Sequence, residues 1–187
     1  TKNAGSSTGD VSLEFAHWLL SDSARQEFAG IVGYLILPTG EYDPKYTSGY
    51  VNTNLGQNRW AFALQTGYSK RVFGQLTWLA AVDSVWYGKN DDFRPAGRAV
   101  ALEQRPLLSA QNHLSKRLTS AWMVGLGHIW NTNGEWVIDG VGLGNRQNTH
   151  RIQLASTYDI PGGFRLGLQL TRAFRTENGL HEKRDLT

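Results

Sequence analysis

Three features of this sequence predict an all-β chain folded as an up-and-down antiparallel transmembrane β-barrel. Apolar residues recur at every second position rather than on a helical period. The connections between these stretches alternate short and long. Trp and Tyr residues recur eight positions apart near the ends of the stretches.

Eight strands are expected, at about 10–20, 28–37, 58–69, 75–87, 99–114, 120–130, 148–158 and 164–174. Each is rich in Val, Leu, Trp, Tyr or Phe and bounded by clusters of Gly, Asn, Asp and Ser. In the first strand Val11, Leu13, Phe15 and Leu19 take the lipid face, which sends Trp18 inward. The second strand is the longest nearly apolar run, Ala29 to Pro38. It is far short of the roughly 20 residues of a membrane helix. Its Ala29, Ile31, Gly33, Leu35 and Leu37 are assigned to the inner wall.

The third, fourth and sixth strands carry the aromatic pairs Trp60 and Tyr68, Trp78 and Trp86, and Trp122 and Trp130. An even separation puts both members on one face. Eight residues at ~3.3 Å rise, tilted ~40°, span about 20 Å along the membrane normal, close to the ~25 Å apolar band between aromatic girdles. Tyr158 in the seventh strand joins the girdle. In the eighth strand Phe164, Leu166, Leu168 and Leu170 form one apolar face. A soluble β-protein would place such aromatics in mid-strand to fill a core, not at strand ends.

Short connections are expected at Ser21–Glu27, Lys70–Gly74, Ser115–Thr119 and Asp159–Gly163, and long ones at Pro38–Gln57, Gly88–Arg98 and Asn131–Gln147, before a tail at Glu177–Thr187. Ser69-Lys70-Arg71 and Ser115-Lys116-Arg117 repeat one hairpin design, each in a short turn with Trp78 or Trp122 soon after. With short turns periplasmic, both ends of the sequence lie outside. A bacterial barrel normally keeps both termini in the periplasm, so at least one strand is missing at each end. The 187 residues then form one β-barrel domain that is an incomplete part of a larger barrel.

The opposite parity should line the lumen. Its pore-lining candidates are Gln65, Asp83, Arg105, Gln111, Met123, Arg151, Gln153, Arg165 and Gln169. They share the wall with many small residues and with Leu79, Leu107 and Ile129. A mixed, small-residue wall suits bulky, partly apolar solutes, with selectivity set by the few charges. The long loop at 131–147 carries Trp136, Val137, Ile138 and Val141. It is expected to fold over the mouth, with Trp136 and Ile138 as first contacts for substrate.

Composition narrows the alternatives. With 19 Lys and Arg against 16 Asp and Glu, the net charge of +3 is too weak to imply nucleic acid. The absence of Cys excludes a disulfide scaffold, a thiolate metal site and a Cys nucleophile. A mean hydropathy of −0.40 looks like a soluble domain, yet a barrel hides its apolar face in alternation.

Other chemistry is weaker. His113-x-Ser115 has the spacing of an outer-membrane phospholipase dyad, but Ser115 belongs to the expected turn and no orienting group is evident. Gly140-Val141-Gly142-Leu143-Gly144 lacks the final Gly of the dinucleotide motif and the Lys-Ser/Thr of a P-loop. Asp91 and Asp92 with Asp43 read as solvated loop carboxylates rather than a Ca²⁺ site. The five His have no zinc spacing.

Three segments carry a family resemblance. Leu37-Pro38-Thr39-Gly40-Glu41-Tyr42-Asp43 closes one strand, and Asn58-Arg59-Trp60-Ala61-Phe62 opens the next, which ends in Gly67-Tyr68-Ser69-Lys70-Arg71. Asn90-Asp91-Asp92-Phe93 follows the strand of Trp86. Their order resembles the transporter family of the MetA pathway of phenol degradation, most clearly over residues 10–95. The resemblance implies a monomeric barrel of about twelve strands in the bacterial outer membrane. It implies passive uptake of small, often hydrophobic or aromatic compounds, with no cofactor and no catalytic residues. Its partners would be the bilayer, lipopolysaccharide and small solutes. An outer-membrane lipase-like hydrolase and a soluble ligand-binding barrel remain the alternatives.

Overall fold

The computed structural model describes residues 8–48, 51–178 and 185–186. The strands are β1 (Val11–Asp22), β2 (Glu27–Leu37), β3 (Thr47–Ser48), β4 (Val51–Asn52), β5 (Ala61–Phe73), β6 (Leu76–Tyr87), β7 (Asn90–Phe93) and β8 (Val100–Gln104). They continue as β9 (Leu107–Arg117), β10 (Trp122–Thr132), β11 (Trp136–Ile138), β12 (Val141–Gly142), β13 (Asn148–Ile160), β14 (Phe164–Glu177) and β15 (Asp185–Leu186). Among the described residues the only helical segment is a single 3-10 turn, Pro44–Tyr46.

A nine-stranded antiparallel sheet runs β1-β2-β5-β6-β9-β10-β13-β14-β15. The eight expected strands stand in it side by side in chain order, as hairpin connections require. The sheet is open. A second sheet, β12-β11-β8-β7, is built from the segments that join β6 to β9 and β10 to β13, and β3-β4 pair separately.

The boundaries differ from expectation where cross-strand pairing overrides local turn chemistry. Ser69-Lys70-Arg71 and Ser115-Lys116-Arg117 lie within β5 and β9 rather than in turns. The turn after β5 falls at Gly74, whose φ of 55° suits a residue without a Cβ. The expected strand 99–114 is two strands. Pro106 has no N–H to continue a ladder, and β8 leaves the main sheet while β9 stays in it.

The register fixes which residues share a face. Leu13, Leu35, Phe62 and Trp86 form one row, and Tyr68 and Ala80 belong to another on the same side. Leu126 pairs with Leu114 on one side and Leu154 on the other, and Leu154 pairs with Leu170. Trp122 pairs with Tyr158, and Tyr158 with Leu166. One face therefore carries the aromatic pairs and the aliphatic residues between them.

The phase of β2 is a correction. Leu35 pairs with Phe62 and Ile31 with Thr66, so Ala29, Ile31, Gly33, Leu35 and Leu37 lie on the aromatic face. Phe28, Gly30, Val32, Tyr34 and Ile36 take the other. Both parities of this strand are apolar, so alternation carries no phase there. A bulge between Trp18 and Leu20 re-phases β1. Trp18 pairs with Gly30 on the face opposite the aromatics, and Leu20 with Ala29 on the aromatic face.

Exposure gives the curvature. In β9, Gln111, His113 and Ser115 are half-buried, while Asn112, Leu114 and Lys116 are exposed. In β13, Arg151, Gln153 and Ala155 are half-buried, while Ile152 and Leu154 are exposed. Side chains on a concave face shield one another and those on a convex face splay. The aromatic face is thus the convex one.

Candidate functional site

The convex face is apolar and open to its surroundings. Leu126, Leu154, Val82, Leu166 and Leu168 are each at least half exposed. A contiguous apolar surface of this extent on a folded chain marks contact with another phase or partner. The aromatic residues expected at a girdle sit at its margins, and the polar atoms of Tyr68, Trp122 and Trp130 are engaged. Tyr68 meets Trp78 edge to face at 5.7 Å, and its hydroxyl donates to Glu27 Oε1 at 2.5 Å. Trp122 Nε1 donates to Ser156 Oγ at 2.9 Å, and Trp130 Nε1 to Asn148 Oδ1 at 2.6 Å. Trp86 stacks on Phe62 at 5.6 Å. Trp60 precedes β5, where its carbonyl accepts the Gly88 N–H at 2.9 Å.

His128 is a polar residue on this apolar face, and its partner is one the sequence reading missed. Its ring stacks on His150 at 5.4 Å, with Nε2 of one 3.2 Å from Nδ1 of the other. Phe174 covers both rings, at 6.0 and 5.8 Å. The readable signal was spacing: His150 lies eight residues before Tyr158, at the girdle interval.

The concave face collects most of the expected lumen residues. Gln65 pairs with Asp83 in the ladder, and its Nε2 donates to Asp83 Oδ1 at 2.6 Å. Gln111, Ile129 and Arg151 form one cross-strand row, and Gln153 pairs with Gly127 and Thr171. Gln169 pairs with Ala155 and Met123 with Thr157. Arg165 lies at the short-turn end, where its Nε is 2.5 Å from Asp159 Oδ1.

One expected lumen residue lies outside the main sheet. Arg105 stands between β8 and β9, outside the main sheet, and its guanidinium pairs with Glu135 at 2.9 Å. Trp136 belongs to β11, where it is half-buried and packs edge-on against Phe93 at 5.9 Å. Ile138 pairs with Leu102 and Val141 in that sheet. Val141 is the most exposed large apolar residue of this loop, at 67%.

His113 and Ser115 share the concave face, both inside β9. The His113 ring lies against Gly127, where an added Cβ would come within 2.3 Å of Nδ1. Its Nε2 is 3.4 Å from Gln111 Oε1, and among the described residues no hydrogen bond joins it to Ser115. The glycine-rich loop is an ordinary hairpin: Asp139 and Gly140 turn with positive φ, and Val141 pairs with Ile138. Asp91, Asp92 and Asp43 each face their own cation, Lys89, Arg94 and Lys45.

The loop layer has a polar knot that joins the three segments of the family resemblance. Asn90, 1% exposed, donates to the Tyr42 hydroxyl at 3.1 Å and to the Gln57 carbonyl at 3.2 Å. Its Oδ1 accepts from Asn58 Nδ2 and from the Asp92 N–H, both at 3.0 Å. Burial pushes the Tyr42 hydroxyl above its ordinary pKa. Arg59 donates to Gln104 Oε1 at 2.7 Å and lies over the Tyr87 ring at 4.2 Å. Asp10 ties β1 to these loops by accepting the N–H groups of Gly40 and Gln57, each at 2.9 Å. Gly40 and Gly56 are in backbone contact there, since a Cβ on Gly56 would lie 2.6 Å from Gly40 O.

Glu135 fastens β11 to its surroundings. It accepts the Gly144 N–H at 2.9 Å and the Arg105 Nε–H at 2.9 Å. These bonds hold its carboxyl below the usual carboxylate range. The contact is therefore complete at neutral pH and is lost as pH falls through that lowered value. Hydrogen exchange of β11 and β12 is expected to accelerate on acidification in the wild type. Glu135→Gln should exchange fast at neutral pH with little further change on acidification.

The chain matches no curated protein sequence. Among solved structures it superposes on an outer membrane channel from Pseudomonas putida F1, with a TM-score of 0.73 and 27% identity. The match covers 97% of this chain and 64% of that one, so the chain spans less than two thirds of the channel's length. The family described as MetA-pathway of phenol degradation matches residues 1–184. With its aromatic-bracketed convex face and this near-complete family match, the chain is a bacterial outer-membrane protein of the MetA-pathway-of-phenol-degradation family.

Proposed function

We propose that the whole protein is a passive outer-membrane channel for small, bulky, partly hydrophobic or aromatic molecules. The observation that carries the reading is the contrast between the two faces of the sheet. One face is exposed and apolar with aromatics at both ends. The other, across β9, β10 and β13, is half-buried or buried and mixes Gln, Arg and His with Met, Ile and small residues. A wall between lipid and water uses both faces in this way.

The open sheet would close into a barrel of about twelve strands, with this chain as one part of a single domain. Gln65, Asp83, Gln111, Met123, Arg151, Gln153, Arg165 and Gln169 would line its lumen. Trp60, Tyr68, Trp78, Trp86, Trp122, Trp130 and Tyr158 would sit at the headgroups. The protein would work as a monomer among lipopolysaccharide and phospholipid, without a cofactor and without catalysis.

Single-channel recording of the whole protein in a planar bilayer tests this. Discrete conductance steps are the expected result. A protein that migrates as a folded, heat-modifiable species in SDS yet gives no steps would overturn the reading.

A further inference from the structure

The convex face carries a polar patch set among its leucines. Along one ladder row Asn112 pairs with His128, His128 with Ile152, and Ile152 with Arg172. His150 stacks on His128 beside this row, with Phe174 against both rings. Asn112 and Arg172 are exposed, and among the described residues neither side chain makes a hydrogen bond or ion pair. The neighbouring cation on this face, Arg175, is held by Glu177 at 2.5 Å.

The histidine pair also leaves a donor open. One N–H satisfies the 3.2 Å contact between His128 Nε2 and His150 Nδ1. Each neutral imidazole carries one N–H, so the second remains on an outer nitrogen. It is His150 Nε2–H when His128 donates and His128 Nδ1–H when His150 donates. Among the described residues it meets no acceptor.

The register sets the height of the patch. Leu166 pairs with Tyr158 at the short-turn end, and Arg172 lies six residues beyond Leu166. At ~3.3 Å rise and ~40° tilt this is about 15 Å, which leaves Arg172 about 5 Å short of the long-loop girdle, a distance its own side chain can span. His150 pairs with Trp130 at that girdle. Toward mid-membrane the patch opens onto a groove of about 240 Å³, walled by Trp78, Leu114, Leu126 and Ile152 and ending at Asn112 and His128. Its apolar walls suit an acyl chain. A cation and unmet donors facing lipid are costly without an anion, and a guanidinium takes a phosphate through two parallel bonds.

We propose that this patch is a binding site for lipid A, the phosphorylated, acylated glucosamine disaccharide that anchors lipopolysaccharide in the outer leaflet. Arg172 takes a phosphate, the histidine pair and Asn112 donate to the same headgroup, and one acyl chain lies along the groove. The proposal rests on the part of the reading above that sets the convex face against lipid with the long loops outward.

The test is native mass spectrometry of the whole protein in detergent with bisphosphorylated lipid A added, reading the bound fraction. Arg172→Gln removes the charge and His150→Leu breaks the imidazole pair, with folding checked by heat-modifiable migration in SDS. Each should weaken lipid A binding by roughly 10-fold, the scale of one lost charge-assisted hydrogen bond. Lys116→Gln, at an exposed cation of the same face near the short-turn end, should leave it unchanged. With the wild type alone, lipid A stripped of both phosphates and phosphatidylglycerol should each bind roughly 10-fold more weakly than bisphosphorylated lipid A. Equal binding by wild type and both patch variants would overturn the site. Equal binding of dephosphorylated lipid A would overturn phosphate recognition, and equal binding of phosphatidylglycerol would overturn lipid A as the occupant. Conductance recorded from the same preparations separates this site from the channel. Steps without lipid A preference would overturn the site and leave the channel standing, and the expected lipid A pattern without steps would do the reverse.

Discussion

Leu126→Arg is expected to destabilise the protein in a bilayer by about 2–4 kcal/mol, the cost of a charge on the lipid face of a barrel at mid-membrane. Leu126 is midway between Trp122 and Trp130 in β10 and 50% exposed. Its ladder neighbours are Leu114 and Leu154, so the guanidinium would find no acceptor beside it and would have to reach past the girdle. Met123, three residues earlier, lies on the concave face opposite Thr157. Met123→Lys would meet water there and should cost far less, while shifting the ion selectivity of the pore. Reversible unfolding in lipid vesicles by urea measures both. Equal costs at the two positions would contradict the assignment of faces.

Phe93→Ala should have the second largest effect, and a local one. Phe93 is fully buried at 0% exposure and is the core of the loop sheet, with Trp136 packed edge-on against it. Truncating a buried Phe costs about 3–5 kcal/mol through lost transfer energy and the cavity left behind. Among the described residues the hydrophobic core of the loop layer is small, with Leu102 the next buried member. The loss should therefore open β7, β8 and β11 together. Hydrogen exchange should rise across these strands while β5, β6, β9 and β10 keep their protection. Unchanged exchange in β11 would show that the loop sheet is held by its ion pairs and turns instead.

Strand positions and faces were legible wherever two parities differed. The eight-residue aromatic interval fixed the phase of β5, β6 and β10 directly. It failed in β2, where Phe28, Val32 and Ile36 are as apolar as Ile31 and Leu35. Only pairing with β5 sets that phase. The loop sheet was not legible, because Phe93 and Leu102 come from one connection and Trp136 from another, and no local pattern joins them. Arg105 was misplaced for a related reason: a residue beside Pro106 leaves the ladder and takes a partner from another loop. The resemblance segments were visible only as an order of motifs. Their meeting point, Asn90, is a buried polar residue whose demand for partners draws Tyr42, Asn58 and Asp92 together.

The central claim is that one sheet separates lipid from a conducting lumen. Thiols introduced into these strands, which have no cysteine of their own, can report each face during single-channel recording when read against the whole protein without them. A water-soluble, negatively charged thiol reagent should change the conductance of Gln111→Cys, Ile129→Cys and Gln153→Cys. It should leave Leu114→Cys, Leu126→Cys and Leu154→Cys unchanged. Conductance changes at both sets, or at the leucine set alone, would contradict the account.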